Sequence, residues 1–401
     1  MLGNITKRFA ACIALGLVAA SVTIPANAST HLGVTVTPKV ESMNFVFSTP
    51  VPTKVTLSMG TDKSYGLSVP DSLKKKHGIT VHALRAGTQY YCSIRATPTK
   101  GKAFTWSAPC PTAPVAPAAF SIKNGNVLAG GEPTFLTVLY LRSCPDESTP
   151  GNLSSLGAQV VSSGACLAPA PADNSAEVQQ LNNVLTNNAW WLEPNPANLS
   201  QLSSLAMLLG SRDNFNFPTD PGSLLGCKSS SGAGLASAIS KAGTTKPAIA
   251  DLYIASQLSP SIPNCLNDSG LRALVWESVA RHVKGIELVP QLPWNDVYDT
   301  NLEQKVKSLV LQIAALQPAL LSTPATVSAS GSLVVGATRY FGTTYVVAVN
   351  PTVEPVDSSI TAGSATSKLA SVWHEGRQVK VRSRSFSDHF APLAVHIYML
   401  K

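Results

Sequence analysis

The strongest constraint on the fold is the hydrophobic periodicity of the chain, which changes twice. Apolar and polar residues alternate over short stretches in residues 29–113, and the same alternation returns in residues 327–401. Between them, residues 119–326 alternate strand-like runs with amphipathic helical patterns. Period-two alternation with frequent turns predicts antiparallel β-structure, and strand–helix alternation predicts a parallel sheet. We therefore predict a multidomain protein, with an all-β sandwich, an α/β unit and a small C-terminal β-sandwich. Residues 114–118 form a Pro-rich linker.

Composition excludes a disordered chain, and the charge is unevenly distributed along the sequence. Hydrophobic residues make up 44% of the 401 residues and charged residues only 13%, so the chain can bury a large core. The net charge is +8, and residues 29–113 hold ten basic and three acidic residues. Lys74–Lys76 is predicted to be a solvated loop tip; alternatively it holds an anionic envelope component electrostatically. Aromatic residues do not interleave with the basic ones, so no nucleic acid partner is expected.

The first 28 residues have the pattern of a secretory signal peptide. Lys7 and Arg8 precede an apolar run over residues 9–22, and Ala26-Asn27-Ala28 is a small-residue cleavage site. A membrane anchor is the alternative, but the run is shorter than the ~20 residues needed to span a bilayer. We predict a protein secreted to the extracellular space or periplasm and cleaved after Ala28, with no transmembrane segment.

Cysteine usage agrees with an oxidising compartment. Six cysteines follow Cys12, an even number that suits disulfides, although buried free thiols are the alternative. A hairpin turning at Lys100-Gly101 would place Cys92 opposite Cys110. The remaining four are paired as sequence neighbours: Cys144 with Cys166, and Cys227 with Cys265.

The middle unit carries six strand candidates and four helical patterns. The strands are predicted at 134–142, 158–162, 189–192, 213–217, 248–254 and 285–289. The helices are predicted at 175–187, 198–209, 271–283 and 301–316. A span of 208 residues is close to the lower limit for an eight-stranded α/β barrel, about 200 residues.

Several common chemistries lack their sequence signals. The chain has no G-x-S-x-G nucleophile elbow and no H-E-x-x-H zinc motif. Its seven histidines show no metal-ligand spacing, and no nucleotide-binding motif stands out. We therefore expect no metal and no cofactor.

One stretch of the first unit resembles a fibronectin type III module. Residues 84–91 (LRAGTQYY) followed by 93–96 (SIRA) match the family pattern of a leucine, a turn glycine and a tyrosine that starts the next strand. The resemblance covers about 85 residues. It implies that the Tyr90 hydroxyl bonds back across the corner, and that the module is a spacer or accessory domain.

Four further stretches, taken in order, resemble a secreted (β/α)8 glycoside hydrolase of the large retaining clan with a C-terminal β-sandwich. They are residues 122–135 (IKNG…GEPTF), 190–194 (WWLEP), 271–286, and 347–351 (VAVNP) with 386–398. The resemblance extends over about 280 residues. It implies a degenerate TIM-like barrel that takes a polysaccharide or other glycan as its partner.

The resemblance also suggests site residues. Glu193 ends a strand after two tryptophans, where that clan keeps its general acid/base; alternatively it is a surface glutamate that starts the next helix. Glu287 is the best second carboxyl by position, or else a residue of the barrel interior or a strand-end salt bridge. Trp190, Trp191 and Trp294 would stack on sugar rings, although core packing is the commoner fate of tryptophan.

Two departures from the family pattern leave two functions open. Leu192 stands where the clan has Asn or Asp, and residues 259–270, where its nucleophilic glutamate would be presented, contain no glutamate. The sequence therefore predicts a glycoside hydrolase-like protein that binds a polysaccharide, and it leaves hydrolysis of that polysaccharide open. The alternative is a non-catalytic carbohydrate-binding or envelope-associated pseudoenzyme.

Overall fold

A computed structural model describes residues 32–112, 120–141, 159–163, 189–192, 246–254, 268–290, 300–363 and 366–401. These residues form a mostly β structure with two helices. The signal peptide, the Pro-rich linker, Glu193, Trp294 and four of the paired cysteines (Cys144, Cys166, Cys227 and Cys265) lie outside the described residues.

The N-terminal sheet is built around one long, interrupted strand. Its strands are β1 (Thr35–Pro38), β2 (Met43–Gly60), β3 (Leu67–Val81), β4 (Gln89–Pro98) and β5 (Phe104–Pro111). They are ordered β1-β2-β4-β5, with β3 also paired to β2. The β2–β3 ladder shifts register between Ser48 and Thr53. Pro50 and Pro52 lie there, and proline has no N–H to donate to a ladder.

The lysine run lies inside strand β3, so the prediction of a loop tip was wrong. Lys74 pairs across the ladder with Thr53 and Lys76 with Ser48, and the Lys74 Nζ lies 2.9 Å from an Asp71 carboxylate oxygen. The expectation failed because β2 and β3 are much longer than the short strands that frequent turns predict. Together they carry pairing through the charged segment.

Cys92 and Cys110 form the predicted disulfide. Their Cα atoms are 6.2 Å apart, and both residues are buried. The register differs from the expected one by two residues, because Cys92 lies opposite Ala108 and Cys110 opposite Tyr90. The hairpin turns one residue earlier than expected, and the bond therefore joins the strands diagonally.

We predict that the double variant Cys92→Ala/Cys110→Ala lowers the free energy of unfolding by about 3 kcal/mol, because the bond closes a loop of this size in the unfolded chain. The sequence separation is 18 residues. Urea unfolding of the parent, with and without reductant, and of the variant measures the change. Equal midpoints for all three would contradict a structural role for the bond.

A small sheet leads into a parallel sheet. Strands β6 (Phe120–Lys123), β7 (Asn126–Ala129) and β8 (Glu132–Pro133) form the small antiparallel sheet. The parallel strands are β9 (Leu136–Leu141), β10 (Val160–Ser163), β11 (Ala189–Leu192), β12 (Ile249–Ile254) and β13 (Gly285–Pro290). Their order is β11-β10-β9-β13-β12, in a sheet that curls like half a barrel. The described strands do not close into a full barrel. Five of the six predicted strands are confirmed, and the sixth, 213–217, lies outside the described residues.

Two helices and two C-terminal sheets complete the described structure. The helices are α1 (Asp268–Ala280) and α2 (Thr300–Leu320), both at predicted positions. A six-stranded sheet contains β14 (Thr323–Pro324), β16 (Val334–Tyr340), β17 (Thr343–Val349), β19 (Leu369–Val372), β20 (Arg377–Lys380) and β22 (Val395–Leu400). A three-stranded sheet contains β15 (Val327–Ala329), β18 (Val356–Ala362) and β21 (Ser385–Phe390). Side chains from both sheets, including Ile360, Phe386 and Tyr398, share one buried cluster.

Helix α2 docks on the N-terminal sheet through carbonyl oxygens and side chains. Pro318 lies in its last turn and has no N–H for the carbonyl of Ala314, one turn earlier. The Tyr90 hydroxyl donates to that carbonyl at 3.1 Å and accepts from the Arg85 backbone N–H at 3.0 Å. The Gln317 amide donates to the Ala83 carbonyl at 2.9 Å. One hydrophobic cluster accordingly contains residues of the N-terminal sheet, the parallel sheet, both helices and the C-terminal sheet.

A buried ionisable pair lies near this junction. Glu41 is 2% exposed, and burial raises the pKa of its carboxyl to about 9, opposed by the Arg85 guanidinium. Burial in turn lowers the pKa of Arg85 to about 10. The Arg85 guanidinium also donates to the Thr137 hydroxyl of β9 at 3.3 Å. No sequence pattern indicates this pair, because both residues lie in short connecting segments.

We predict that Glu41 makes stability fall as pH rises. The folded chain holds the Glu41 proton up to about pH 9, whereas the unfolded chain releases it near its usual pKa of 4.5. Its contribution is therefore complete below about pH 4.5 and lost towards pH 9, at about 1.4 kcal/mol per pH unit between them. The variant Glu41→Gln should lose this slope, which urea unfolding between pH 5 and pH 9 measures. Parallel pH profiles for parent and variant would show that Glu41 ionises normally.

Candidate functional site

The two faces of the parallel sheet differ in what covers them. Ala250, Leu252, Ile286 and Leu288 lie on one face and belong to the large hydrophobic cluster that includes Trp276 of helix α1. Because side chains alternate along a strand, the residues between them point to the opposite side. We call that side the carboxylate face, and it carries Asp251, Glu287, Val138, Ile249 and Val289.

Asp251 and Glu287 lie side by side on the carboxylate face. Strand β12 places Asp251 opposite Glu287 of β13, and β13 places Glu287 opposite Val138 of β9. Neighbouring strands are about 4.8 Å apart, so the two residues are direct lateral neighbours. Asp251 is 7% exposed and Glu287 is 0% exposed. The sheet therefore buries two carboxyl groups among aliphatic residues.

The spacing of these two carboxyl groups suits glycoside hydrolysis, whereas their position in the strands does not. Glycoside hydrolysis uses two carboxyl groups about 5–5.5 Å apart for retention, or about 6.5–9.5 Å for inversion. A strand spacing of about 4.8 Å allows the two carboxyl groups to approach each other within this range. Barrel enzymes, however, present catalytic groups at the carboxyl ends of strands. Glu287 is instead the third residue of a six-residue strand and is completely buried. A sugar would have to reach the carboxylate face itself to meet it.

The strand that precedes Glu193 belongs to the same sheet. β11 contains Trp190 and Trp191, which pair with Val161 and Ser162 of β10. Two further strands, β10 and β9, separate β11 from β13. All neighbouring pairs in this sheet are parallel, so the carboxyl ends of β11, β12 and β13 lie along one edge.

A glycine allows a close contact between strands β9 and β13. A Cβ atom on Gly285 would lie 2.5 Å from the Leu136 carbonyl oxygen and 2.8 Å from the Leu136 Cβ. Glycine at the start of β13 therefore lets β9 and β13 pair closely, two residues before Glu287.

Sequence reasoning missed two buried acidic residues near this sheet. The sequence pattern gave Asp251 no site role, and only the strand order places it beside Glu287. Glu277 of helix α1 is also buried, and burial raises its pKa while the Arg281 guanidinium, 2.9 Å away, opposes the shift. For Glu277 the sequence does contain a signal, because Arg281 follows four residues later and the two can pair on one face of a helix.

The described residues also bear on membranes and metals. None of their helices is long and apolar enough to cross a bilayer. Within the same residues, no three His, Cys, Asp or Glu side chains are grouped as metal ligands would be.

No family model and no curated protein matches the chain. Solved structures with some similarity are glycoside hydrolases. The alpha-amylase of Anoxybacillus is 12% identical, with a TM-score of 0.38, over 61% of this chain and 59% of its own. The alpha-amylase of Geobacillus thermoleovorans, solved with acarbose, is 12% identical with a TM-score of 0.36, over 61% and 60%. A protein described as an alpha-galactosidase from Bacteroides fragilis is 10% identical with a TM-score of 0.35, over 94% and 97%. The chain spans about three fifths of the length of the two amylases.

We predict that Gly285→Ala destabilises the protein by about 1–3 kcal/mol, because the added methyl group must displace the backbone of β9. Gly78→Ala is the matched control, since a Cβ on that strand glycine meets nothing within 4 Å. Thermal or urea unfolding compares the two. Equal stability of both variants would contradict the close pairing of β9 and β13.

Proposed function

We propose that this chain is a secreted, glycoside hydrolase-like protein that binds a polysaccharide. In this proposal a fibronectin type III-like sandwich precedes an incomplete TIM-like barrel and a small C-terminal β-sandwich. The boundaries are those predicted from the sequence, with the barrel unit at residues 119–326.

The observation that carries the proposal is the register of the parallel sheet. It aligns Asp251 with Glu287, and the ladder through β10 and β9 gives Trp191, rather than Trp190, a register position on the carboxylate face. Carboxyl groups and flat aromatic rings are the groups that sugar-binding sites combine, since rings stack on pyranose C–H surfaces and carboxylates accept from sugar hydroxyls. Glu193 and Trp294 would complete the site.

The Tyr90 geometry supports the identity of the first domain. In fibronectin type III modules and related sandwiches a tyrosine hydroxyl bonds back to the backbone a few residues upstream. The Tyr90 hydroxyl accepts from the backbone N–H of Arg85, five residues earlier.

Secretion rests on the signal-peptide pattern and on cysteine chemistry. The Cys92–Cys110 disulfide is of the kind that forms in oxidising compartments. Cleavage after Ala28 is part of the proposal.

The burial of Glu287 argues against hydrolysis through this residue. A catalytic carboxyl must contact the scissile bond, and Glu287 is completely buried in mid-strand. Hydrolysis, with Glu193 as general acid and Glu287 as its partner, is the second candidate, favoured by the adjacency of Asp251 and Glu287. In the first candidate the chain is a pseudoenzyme that retains the sugar-binding surface.

We predict that the mature chain binds at least one polysaccharide on a glycan array. The double variant Trp190→Ala/Trp191→Ala should weaken that binding by about tenfold or more, because stacking area is lost. Phe341→Ala, which removes a 51% exposed aromatic ring of the C-terminal sheet turn, is the matched control and should bind normally. No binding to any glycan, or equal loss in the control, would contradict the proposal.

Product analysis separates the two candidates. Incubation of each bound glycan with the parent should release no reducing sugar if the chain is a pseudoenzyme. Release that falls by about 100-fold or more in Glu193→Gln, with unchanged melting temperature, would establish hydrolysis instead.

A further inference from the structure

A cleft lies between the N-terminal sheet and the six-stranded C-terminal sheet, away from the carboxylate face. Its volume is about 450 Å³, within the range of small-molecule sites. One wall is the end of the β2–β3 hairpin around Ser58 and Ser68, which pair in the ladder. The floor is a face of the C-terminal sheet. No strand of the parallel sheet contributes a described lining residue.

The floor is a continuous row of side chains across four strands. Tyr345 pairs with Met399, Met399 with Ser371, and Ser371 with Gln378, so the four residues share one face. The Gln378 amide donates to the Ser371 hydroxyl at 3.3 Å. Leu369, beside this row, is 45% exposed although it is a large apolar residue. The row therefore alternates polar groups with apolar surface.

The chemistry of the lining is neutral and rich in hydroxyl groups. Eight hydroxyl side chains and the Gln378 amide line the cleft, and Lys401 is the single charged side chain among the described lining residues. Hydroxyls and amides both donate and accept hydrogen bonds, as sugar hydroxyls do. Leu369, Met399 and the half-buried Tyr65 offer apolar surface for a pyranose ring. No Asp or Glu side chain is among the described lining residues, and one ammonium group is too few for a polyanion.

One polar group at the base of the cleft lies between the floor and the hairpin. Tyr345 is buried, and its hydroxyl lies against the backbone of Ser68, so the floor meets the hairpin here. Burial raises the pKa of this hydroxyl to about 12, so it stays a donor at neutral pH.

The hairpin end and the C-terminal sheet are held in place relative to each other. The Thr61 hydroxyl donates to the Leu311 carbonyl of helix α2 at 3.0 Å, and Asp62 lies 3.4 Å from His374 of the C-terminal part. A Cβ on Gly66 would lie 2.6 Å from a Leu316 methyl group, so the hairpin end packs directly on the helix. A cleft fixed in this way costs little ordering entropy when it binds a ligand.

We propose that this cleft is a binding site for a neutral oligosaccharide, separate from the carboxylate face. The site takes one or two sugar rings, a size set by its volume. It does not depend on the proposed polysaccharide site, because its lining residues come from different strands.

The test combines binding with mapping of the bound region. The probes are maltotetraose, cellotetraose and N-acetylchitotetraose, with tetragalacturonate as the acidic counterpart. Calorimetric titration measures affinity, and hydrogen exchange with mass spectrometry locates the protected peptides. At least one neutral probe should bind with a Kd of about 1 mM or tighter. It should protect residues 58–68 and 367–380 from exchange.

The variants are chosen from exposed residues so that folding is kept. Leu369→Ala/Gln378→Ala should weaken binding by about tenfold or more through lost contact. The matched control is Leu73→Ala/Gln89→Ala, an exposed leucine at 47% and an exposed glutamine on the N-terminal sheet, both outside the cleft. Trp190→Ala/Trp191→Ala should leave protection in the cleft unchanged, which separates this site from the proposed polysaccharide site.

Three results would overturn the inference. The first is no binding of any neutral probe up to ~10 mM. The second is binding that protects only peptides outside the cleft or survives Leu369→Ala/Gln378→Ala. The third is a preference for tetragalacturonate, or for an extended peptide library, over all three neutral sugars.

Discussion

The structure depends on the hydrogen bonds that the Tyr90 hydroxyl makes at the end of helix α2. Pro318 leaves the Ala314 carbonyl without its helical donor, and the Tyr90 hydroxyl donates to that carbonyl while accepting from the Arg85 N–H. The Tyr90 hydroxyl, which bonds back to the chain five residues upstream, is thus also bonded to a helix 224 residues later in the chain. An unmade bond at this depth would leave a buried polar group unsatisfied, so the interaction fixes both partners.

This docking makes one hydrophobic core out of segments that the sequence pattern separates. The cluster extends from Phe45 of the N-terminal sheet through Trp276 of helix α1 to Trp373 near the C-terminal sheet. The same docking sets the distance between the hairpin end and the C-terminal sheet, and therefore creates the cleft. It also covers one face of the parallel sheet, so that Asp251 and Glu287 lie on the other. Both proposed sugar sites are consequences of one packing arrangement, although they share no strand.

The sequence predicted what local pattern can encode. Strand and helix positions, the Cys92–Cys110 bond and the back-bonding of Tyr90 follow from periodicity, spacing and a short motif. The position of Lys74–Lys76 in a strand was missed, because it depends on the length of the β2–β3 ladder. The adjacency of Asp251 and Glu287 depends on strand order, and the burial of Glu41 on which surfaces meet. Strand length, strand order and burial depend on contacts between distant parts of the chain, and local sequence patterns do not determine those contacts. Glu193 and Trp294 stay sequence predictions.

The most direct test of the account is calorimetric unfolding of the mature chain with and without a saturating oligosaccharide chosen from the glycan array. Because the N-terminal sheet, helix α2 and the C-terminal sheet share one core, we expect a single transition. A ligand that binds only the folded state should move all of it to higher temperature. Separate transitions, with the sugar shifting one or none of them, would contradict the claim that a single fused body binds carbohydrate.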